Sequence, residues 1–454
     1  MRKPSRLPSA ARNPVSLVGI AVTSAMALVF LALLALDALG YLANPYVGLI
    51  LFVAVPSAFV AGLILIPIGA WREARRRRLY PETTTEWPVL DLGDPRQRSV
   101  VATVLALTLV NVLIVSIAAY GGAHYMETTA FCGTTCHTAM EPEYVAHQAG
   151  AHARVACVRC HVGPGAGTLI KSKLAGTRQL FHVVTNRVPT PIPPPAALIS
   201  PARDTCEQCH WSERFVGDRT RVVREYASDE KNSERDTVLQ LHVGGGDRAR
   251  GIGTGIHWHM SLDNEIEFVS TGDAMDTIPY VRVRSRSGEV REYFADGATP
   301  QQIAAGSRQR MDCMDCHNRP AHTFEPTPER AIDRAIAEGR IPRELPFARR
   351  EAVAAVSAVY TDRAAAHDGI AATLRAFYRT RGGADQRQID HAIAGAQDAW
   401  AGNVFPAMKV GWGTYVSQLG HVDGPGCFRC HDDGHKTRDG RTISQDCELC
   451  HAMP

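Results

Sequence analysis

The sequence has almost no excess of charge. Its 49 Lys and Arg stand against 46 Asp and Glu, a net +3 over 454 residues, too little to mark a nucleic-acid partner. No long apolar run occurs after Ala123, so the last two thirds of the chain lie outside a bilayer. No clear small-residue cleavage site follows the first apolar run, and that run is too long for the core of a removable signal. Residues 37–46 contain neither Lys nor Arg.

Three apolar runs precede Ala123, at residues 15–36, 47–70 and 100–120. Each exceeds the roughly 18 residues that mark a bilayer span. Arg2, Lys3, Arg6 and Arg12 precede the first run, WREARRRR at 71–78 follows the second, and Arg96 and Arg98 precede the third. Basic loops stay cytoplasmic, so the third span delivers everything after about Tyr120 to the opposite side. The expectation is a multi-pass protein of the bacterial inner (cytoplasmic) membrane with its main body in the periplasm.

The twelve cysteines fall into six pairs. Five read C-x-x-C-H: Cys157 and Cys160 with His161, Cys206 and Cys209 with His210, Cys313 and Cys316 with His317, Cys427 and Cys430 with His431, Cys447 and Cys450 with His451. Random placement at these frequencies gives roughly 0.01 such matches. A thioredoxin-like pair needs a βαβ context and does not recur with a trailing His. Zinc ribbons combine two C-x-x-C pairs without that His, and a disulfide framework leaves the histidines unexplained. The pattern is that of covalent c-type haem, in which the cysteines bond the porphyrin edge and the histidine ligates iron.

The remaining pair lies in FCGTTCHTAM, residues 131–140, where Cys132 and Cys136 are one residue further apart and His137 follows. It reads as a sixth haem site whose extra residue is absorbed in the loop carrying Cys132; the alternative is a disulfide or free dithiol near the membrane. Met140, three residues after His137, is a candidate thioether ligand, with a packed methionine as the alternative.

Six of the eighteen histidines belong to the motifs, and haems dedicated to electron transfer each need a second strong axial ligand. The distal candidates are His152, His322, His421, His435 and one of His257 or His259, with His182 and His242 in reserve. His124 and His147 are candidates for proton transfer, and His367 and His391 read as structural.

The predicted architecture is a membrane-anchored multihaem cytochrome c: three transmembrane helices, then a haem-packed, mostly irregular and α periplasmic region with a small antiparallel β insert. Residues 1–99 form a two-helix hairpin with a basic cytoplasmic loop and 100–123 the third span. Residues 124–215 form a three-haem domain, 216–310 the β insert, and 311–454 a helical region with three more haem sites. In the insert TVLQLHV, EIEFVS, IPYVRVRS and EVREYFA alternate as strands, with a turn at Ser287 and Gly288. A helix is expected over residues 168–185. Further on, Thr327 caps a helix with Pro328 at its first position and Gly339 at its end, and helical runs cover 349–360 and 369–378.

A membrane helix leading into CGTTCHTAM, then HARVACVRCHVGPGAGTLIKSKLAGTRQLFHVVTN, then TCEQCH, resembles the NapC/NirT family of membrane-anchored multihaem cytochromes over about residues 100–215. The later segments CEQCHWSERFVGD, GIHWHM, MDCMDCHNRPAHTF and PGCFRCHDDGHK resemble its longer members. The resemblance implies a quinol dehydrogenase that oxidises menaquinol or ubiquinol and passes electrons through six covalent haems to a periplasmic or outer-membrane acceptor, a cytochrome or a reductase. It places a first haem at Cys136, His137 and Met140, and a quinol-pocket lysine in the region of Lys171 and Lys173. Where the family often carries an acidic residue, this chain has Arg178 and Gln179.

Quinol oxidation releases two electrons and two protons while each haem accepts one electron. Such a site therefore needs a base, a cation and a second haem close by. Glu141, Glu143, His147 and His124 are the candidate bases. Two other classes stay open: a terminal reductase with one open haem, against which stand the absence of any C-x-x-C-K motif and the surplus of histidine, and a passive anchor that docks a partner through the β insert.

Overall fold

The computed structural model describes residues 13–39, 50–79, 93–135, 137–162, 166–193, 202–211, 215, 217–245, 255–272 and 276–452. Cys136, the basic N-terminal residues and the side chains of Arg96, His137 and Lys173 lie outside what is described. The chain divides into two compact units, residues 1–135 and 136–454.

In the first unit, helices α1 (Pro14–Ala38), α2 (Val55–Leu79) and α3 (Pro95–Met126) carry three stretches long and apolar enough to cross a membrane: Pro14–Leu36, Val55–Arg76 and Ala106–Met126. The second starts later than the apolar run suggests because residues Ile50–Ala54 wind into a π-helical turn. In α1 and α2, which pack together, glycines meet: a Cβ on Gly19 would sit 2.8 Å from the Gly62 carbonyl oxygen. Small residues at such a crossing let backbones approach where no hydrophobic effect drives helices together. Hydroxyls are satisfied internally, Thr23 donating to Gly19 O at 2.8 Å and Ser16 to Ile66 O at 2.9 Å. Phe30, Leu51, Phe59 and Ile114 form the buried seam, while Leu28 and Leu109 face outward.

The second unit contains two antiparallel sheets. Strands β1 (Arg219–Tyr226) and β2 (Glu234–Leu241) form a hairpin that β7 (His451–Ala452) extends, so the last cysteine motif ends as an edge strand. Strands β3 (Asn264–Thr271), β4 (Thr277–Ser285), β5 (Val290–Phe294) and β6 (Ser307–Arg310) lie in the order β5-β4-β3-β6. The turn at Ser287 and Gly288 forms as read, with Gly288 at φ +84° and its N–H donating to Ser285 O at 3.0 Å. One face of this sheet buries Ile266, Phe268 and Val281; on the other, Arg282 pairs with Glu267 at 3.1 Å. β1 escapes pattern reading because it is exposed along most of its length, and cross-strand pairs such as Arg224 with Asp236 at 2.9 Å accompany its ladder.

Helices α4 (His137–Ala149), α5 (Cys157–His161), α6 (Ala166–Val184), α7 (Ala202–Cys206) and α8 (Pro300–Ala305) are separate pieces, whereas α9 (Pro328–Ala337), α10 (Ala348–Ser357), α11 (Arg363–Arg381) and α12 (Gln386–Ala401) form a bundle. α9 begins as expected, with Thr327 Oγ1 accepting from Arg330 N at 3.3 Å, and Gly339 at φ +72° follows its end. Ile332, Ile341, Leu345, Ile370, Leu374 and Trp400 fill the bundle core. Asn232, buried in the β1–β2 turn, fastens the hairpin to it: its amide donates to Arg343 O and Leu345 O at 2.8 Å each and its Oδ1 accepts from Arg349 N at 2.9 Å.

Candidate functional site

Each regular cysteine motif winds into about one turn. The His210, His317 and His431 N–H groups donate to the carbonyls of the first cysteine in their motifs, at 2.8, 2.8 and 3.0 Å. One turn sets both sulfurs and the imidazole around a common position. Asp312 and Asp446 cap two of these turns, accepting from Met314 N at 2.8 Å and Glu448 N at 3.0 Å.

All five motif histidines face a second histidine from elsewhere in the sequence. Ring centres are 6.1 Å apart for His161 and His322, 6.2 Å for His210 and His152, and 6.3 Å for His317 and His257. For His431 and His259 the distance is 5.8 Å, and for His451 and His421 it is 6.2 Å. An iron bound about 2 Å from one nitrogen of each imidazole would hold ring centres about 6 Å apart. The pairs therefore fit bis-histidine haem iron. Among the described residues, no group of three or more His, Cys, Asp or Glu is spaced to hold a metal ion by itself.

Ring orientation supports the fit. The Nδ1–H of His152 donates to Pro320 O (3.0 Å), His257 to Val243 O (2.7 Å), His259 to Ile256 O (2.8 Å), His322 to Glu143 O (2.8 Å) and His431 to Ser444 O (2.8 Å). A carbonyl on Nδ1 fixes the tautomer and leaves the Nε2 lone pair for a metal. Burial lowers the pKa of His259 and His322 from the ordinary histidine value, which favours the neutral, ligating form.

The same logic separates the other histidines. His435, expected as a ligand, is buried with its Nε2 on Ile278 O at 2.7 Å and its Nδ1 on Asp432 at 2.9 Å, so neither nitrogen is left for iron. His147 approaches His322 to 6.0 Å, but its Nε2 donates to Val155 O at 3.0 Å and its Nδ1 accepts from Gln148 at 3.2 Å. His242 sets Nδ1 on Asp218 at 3.0 Å and has no facing ring among the described residues, and His182 keeps a buried Nδ1 without a hydrogen bond. His367 and His391 are exposed on the bundle. Met140 is half-buried in the first turn of α4, Lys171 is exposed on α6, and Cys132 lies in the π-helical turn Phe131–Thr135 of the first unit.

Glu143 was not foreseen as a support for a ligand. Its carboxylate takes Arg319 at 3.2 Å and His322 Nδ1 at 3.3 Å, and Arg319 stacks 3.4 Å over the Tyr415 ring. A short 3-10 turn, Ile256–Met260, carries both His257 and His259. Gly245, at φ +131°, lets the neighbouring loop press on that turn, since a Cβ there would collide with the Trp258 backbone nitrogen.

Consecutive motifs lie near one another in the second unit. Cys160 lies beside Cys209, and burial followed by its cysteine neighbours pushes its thiol up. The neighbouring Cys313 thiol, and then burial, push the Cys206 thiol up. Burial and then Cys427 raise Cys316 to about 11, and Cys450 is raised by burial and by Cys427. Backbone contacts run alongside: Ala202 N donates to Asp312 at 3.4 Å, and the Arg429 guanidinium donates to Asp315 O.

A model of the NapC/NirT cytochrome c family, N-terminal region, matches residues 94–192. The chain belongs to the NapC/NirT family and is a membrane-anchored multihaem c-type cytochrome. The likeness extends well beyond that region. The cytochrome c-type protein ImcH of Geobacter sulfurreducens is 40% identical over 448 residues, spanning 97% of this chain and 88% of ImcH. No solved structure matches.

Proposed function

We propose that the protein oxidises membrane quinol at the periplasmic face and relays the electrons through six c-type haems to a periplasmic or outer-membrane acceptor. The observation that carries this reading is the set of five facing histidine pairs, each beside a cysteine pair. Bound there, haem iron supplies reversible one-electron transfer without a change of ligand. The twelve cysteines anchor it covalently. His161, His210, His317, His431 and His451 ligate from the motifs and His322, His152, His257, His259 and His421 from across the fold, with His137 and Met140 serving the first site. Paired ligands leave these five positions closed to a substrate, which weighs against the reductase reading.

At the quinol end, Lys171 and Lys173 on α6 offer the cations that hold a deprotonating quinol. Glu143 is tied to Arg319 and His322, Glu141 pairs with Arg363 at 3.0 Å, and His147 is committed to backbone.

The test is the oxidised protein in bilayer nanodiscs mixed with a menaquinol analogue. We expect an intact mass carrying six haems and rapid reduction of several of them, at least tenfold slower in a Lys171→Ala/Lys173→Ala variant, about 1.4 kcal/mol of barrier. Haems that stay oxidised with quinol yet accept electrons from a soluble donor would sink the proposal.

A further inference from the structure

An axial histidine becomes a stronger donor to iron when its Nδ1–H is hydrogen-bonded to a carbonyl, and stronger donation favours the ferric state. The five facing pairs differ in this respect. In the CFRCH site both imidazoles are so bonded, His431 to Ser444 O and His259 to Ile256 O, each at 2.8 Å. The CMDCH, CEQCH and CVRCH sites each have one such bond among the described residues, through His257, His152 and His322. At His322 the Glu143 carboxylate adds to it. In the CELCH site neither imidazole makes such a bond among the described residues. The Nδ1 of His451 is buried without a hydrogen-bond partner. His421 has its ring set by stacking on Phe428 instead, with centres 4.4 Å apart and planes 11° from parallel.

We propose that the CELCH site is the most readily reduced of these five, so that the first electron to enter them rests on the haem between His421 and His451. The CEQCH site is the internal comparison. The two motifs share a glutamate at the second position, Glu207 and Glu448, and each has an exposed cysteine, Cys209 and Cys447. Motif charge and access of water therefore do not separate them, whereas the bond from His152 to Pro320 O at 3.0 Å does. Water reaches Cys447 but not the buried Nδ1 of His451, so solvent does not supply the missing acceptor there. A ferric iron polarises the imidazole N–H more than a ferrous one, so a buried N–H left unpaired penalises the ferric state more. Reduction adds one electron to the iron, with no ligand exchanged and no proton moved. This inference rests on reading the sites as bis-histidine haem iron but not on quinol as the donor.

The experiment titrates the full haem-loaded protein with a chemical reductant and follows its low-spin ferric resonance signals. Two variants identify the CELCH signal. Cys447→Ala/Cys450→Ala removes that haem, checked by a mass one haem lighter. His421→Ala keeps the haem but opens an axial position and turns the site high-spin, and it serves where the first variant does not fold. The signal lost with Cys132→Ala/Cys136→Ala belongs to the remaining site and is left out of the order. In the wild-type protein the CELCH signal should disappear first of the five. Its ferrous to ferric ratio should stand about tenfold above that of the CEQCH site at the same poise, 59 mV for a one-electron couple. Any other of the five vanishing earlier overturns the proposal. His259→Ala identifies the CFRCH signal in the same way, and that signal should outlast those of the CEQCH and CMDCH sites. Its loss ahead of either shows that these hydrogen bonds do not set the order, and overturns the inference on its cause. No quinol is present, so failure of quinol oxidation is read separately, while a mass that Cys447→Ala/Cys450→Ala does not lighten overturns both readings.

Discussion

Replacing Glu143 with Gln keeps the shape of the side chain and removes its charge from the Nδ1 side of His322. The carboxylate lies 3.3 Å from that nitrogen, and the backbone bond from His322 to Glu143 O at 2.8 Å is untouched. A negative acceptor on Nδ1 makes the imidazole a stronger donor and favours ferric iron, so its loss should raise the potential of the site held by His161 and His322. Hydrogen bonds to charged groups contribute about 1.5–3 kcal/mol. The contact is long and Arg319 already shares the charge, which argues for the bottom of that range, about 1.5 kcal/mol or roughly 65 mV for a one-electron couple. A potentiometric optical titration should show one component moving up by about this amount and the others unmoved. The variant should also melt earlier, by up to about 3 kcal/mol, because the Arg319 guanidinium, largely buried over Tyr415, loses its counter-ion. No shifted component, or a downward shift, would refute the pairing of His322 with His161.

Ring angles divide the five sites: His210 with His152 at 71° and His431 with His259 at 79° should give strongly anisotropic low-spin resonance signals, and His317 with His257 at 5° an ordinary rhombic one. Five alike signals would contradict the geometry. Gly245→Ala should displace the 3-10 turn and degrade two low-spin signals together, those of the CMDCH and CFRCH sites, as read by resonance spectra of protein whose haem mass is unchanged. Asp333→Ala leaves Arg349, now held by a two-point ion pair at 2.6 and 3.1 Å, buried without its partner. It should destabilise the α9–α12 bundle by about 3–5 kcal/mol in hydrogen exchange while the haem spectra stay the same.

Much of this was legible in the chain. The spans announced themselves by length, and the cysteine motifs carry their chemistry at fixed spacing. His152, His322, His421 and one of His257 or His259 could be nominated because six motifs read as haem sites demand ligands that a local motif cannot provide; that both histidines of the HWHM turn face a motif histidine was not foreseen. Which of them serves which iron was not legible, since His322 meets His161, and His152 meets His210, only through tertiary folding. His435 misled for the same reason. It flanks CFRCH in sequence, yet β4 supplies the carbonyl of Ile278 that occupies its Nε2. Glu143 carried no spacing signal, because its partner Arg319 lies in a distant loop. β1 was missed where exposure on both faces erased alternation, and β7 because two residues carry no pattern at all.

The origin of each facing histidine has a consequence for assembly as the chain emerges through a membrane. His152, His257, His259 and His421 all precede the motif they face, so on the proposed topology the second axial ligand would be outside before the cysteines arrive. The CVRCH site is the exception. Its partner, His322, follows the fourth motif, and until residue 322 has crossed, a haem attached at Cys157 and Cys160 must wait with one axial position unmet or borrow the nearby His147. A chain stalled or truncated between residues 210 and 322 would thus carry a finished CEQCH site beside an unfinished CVRCH site, a distinctive marker of arrested maturation.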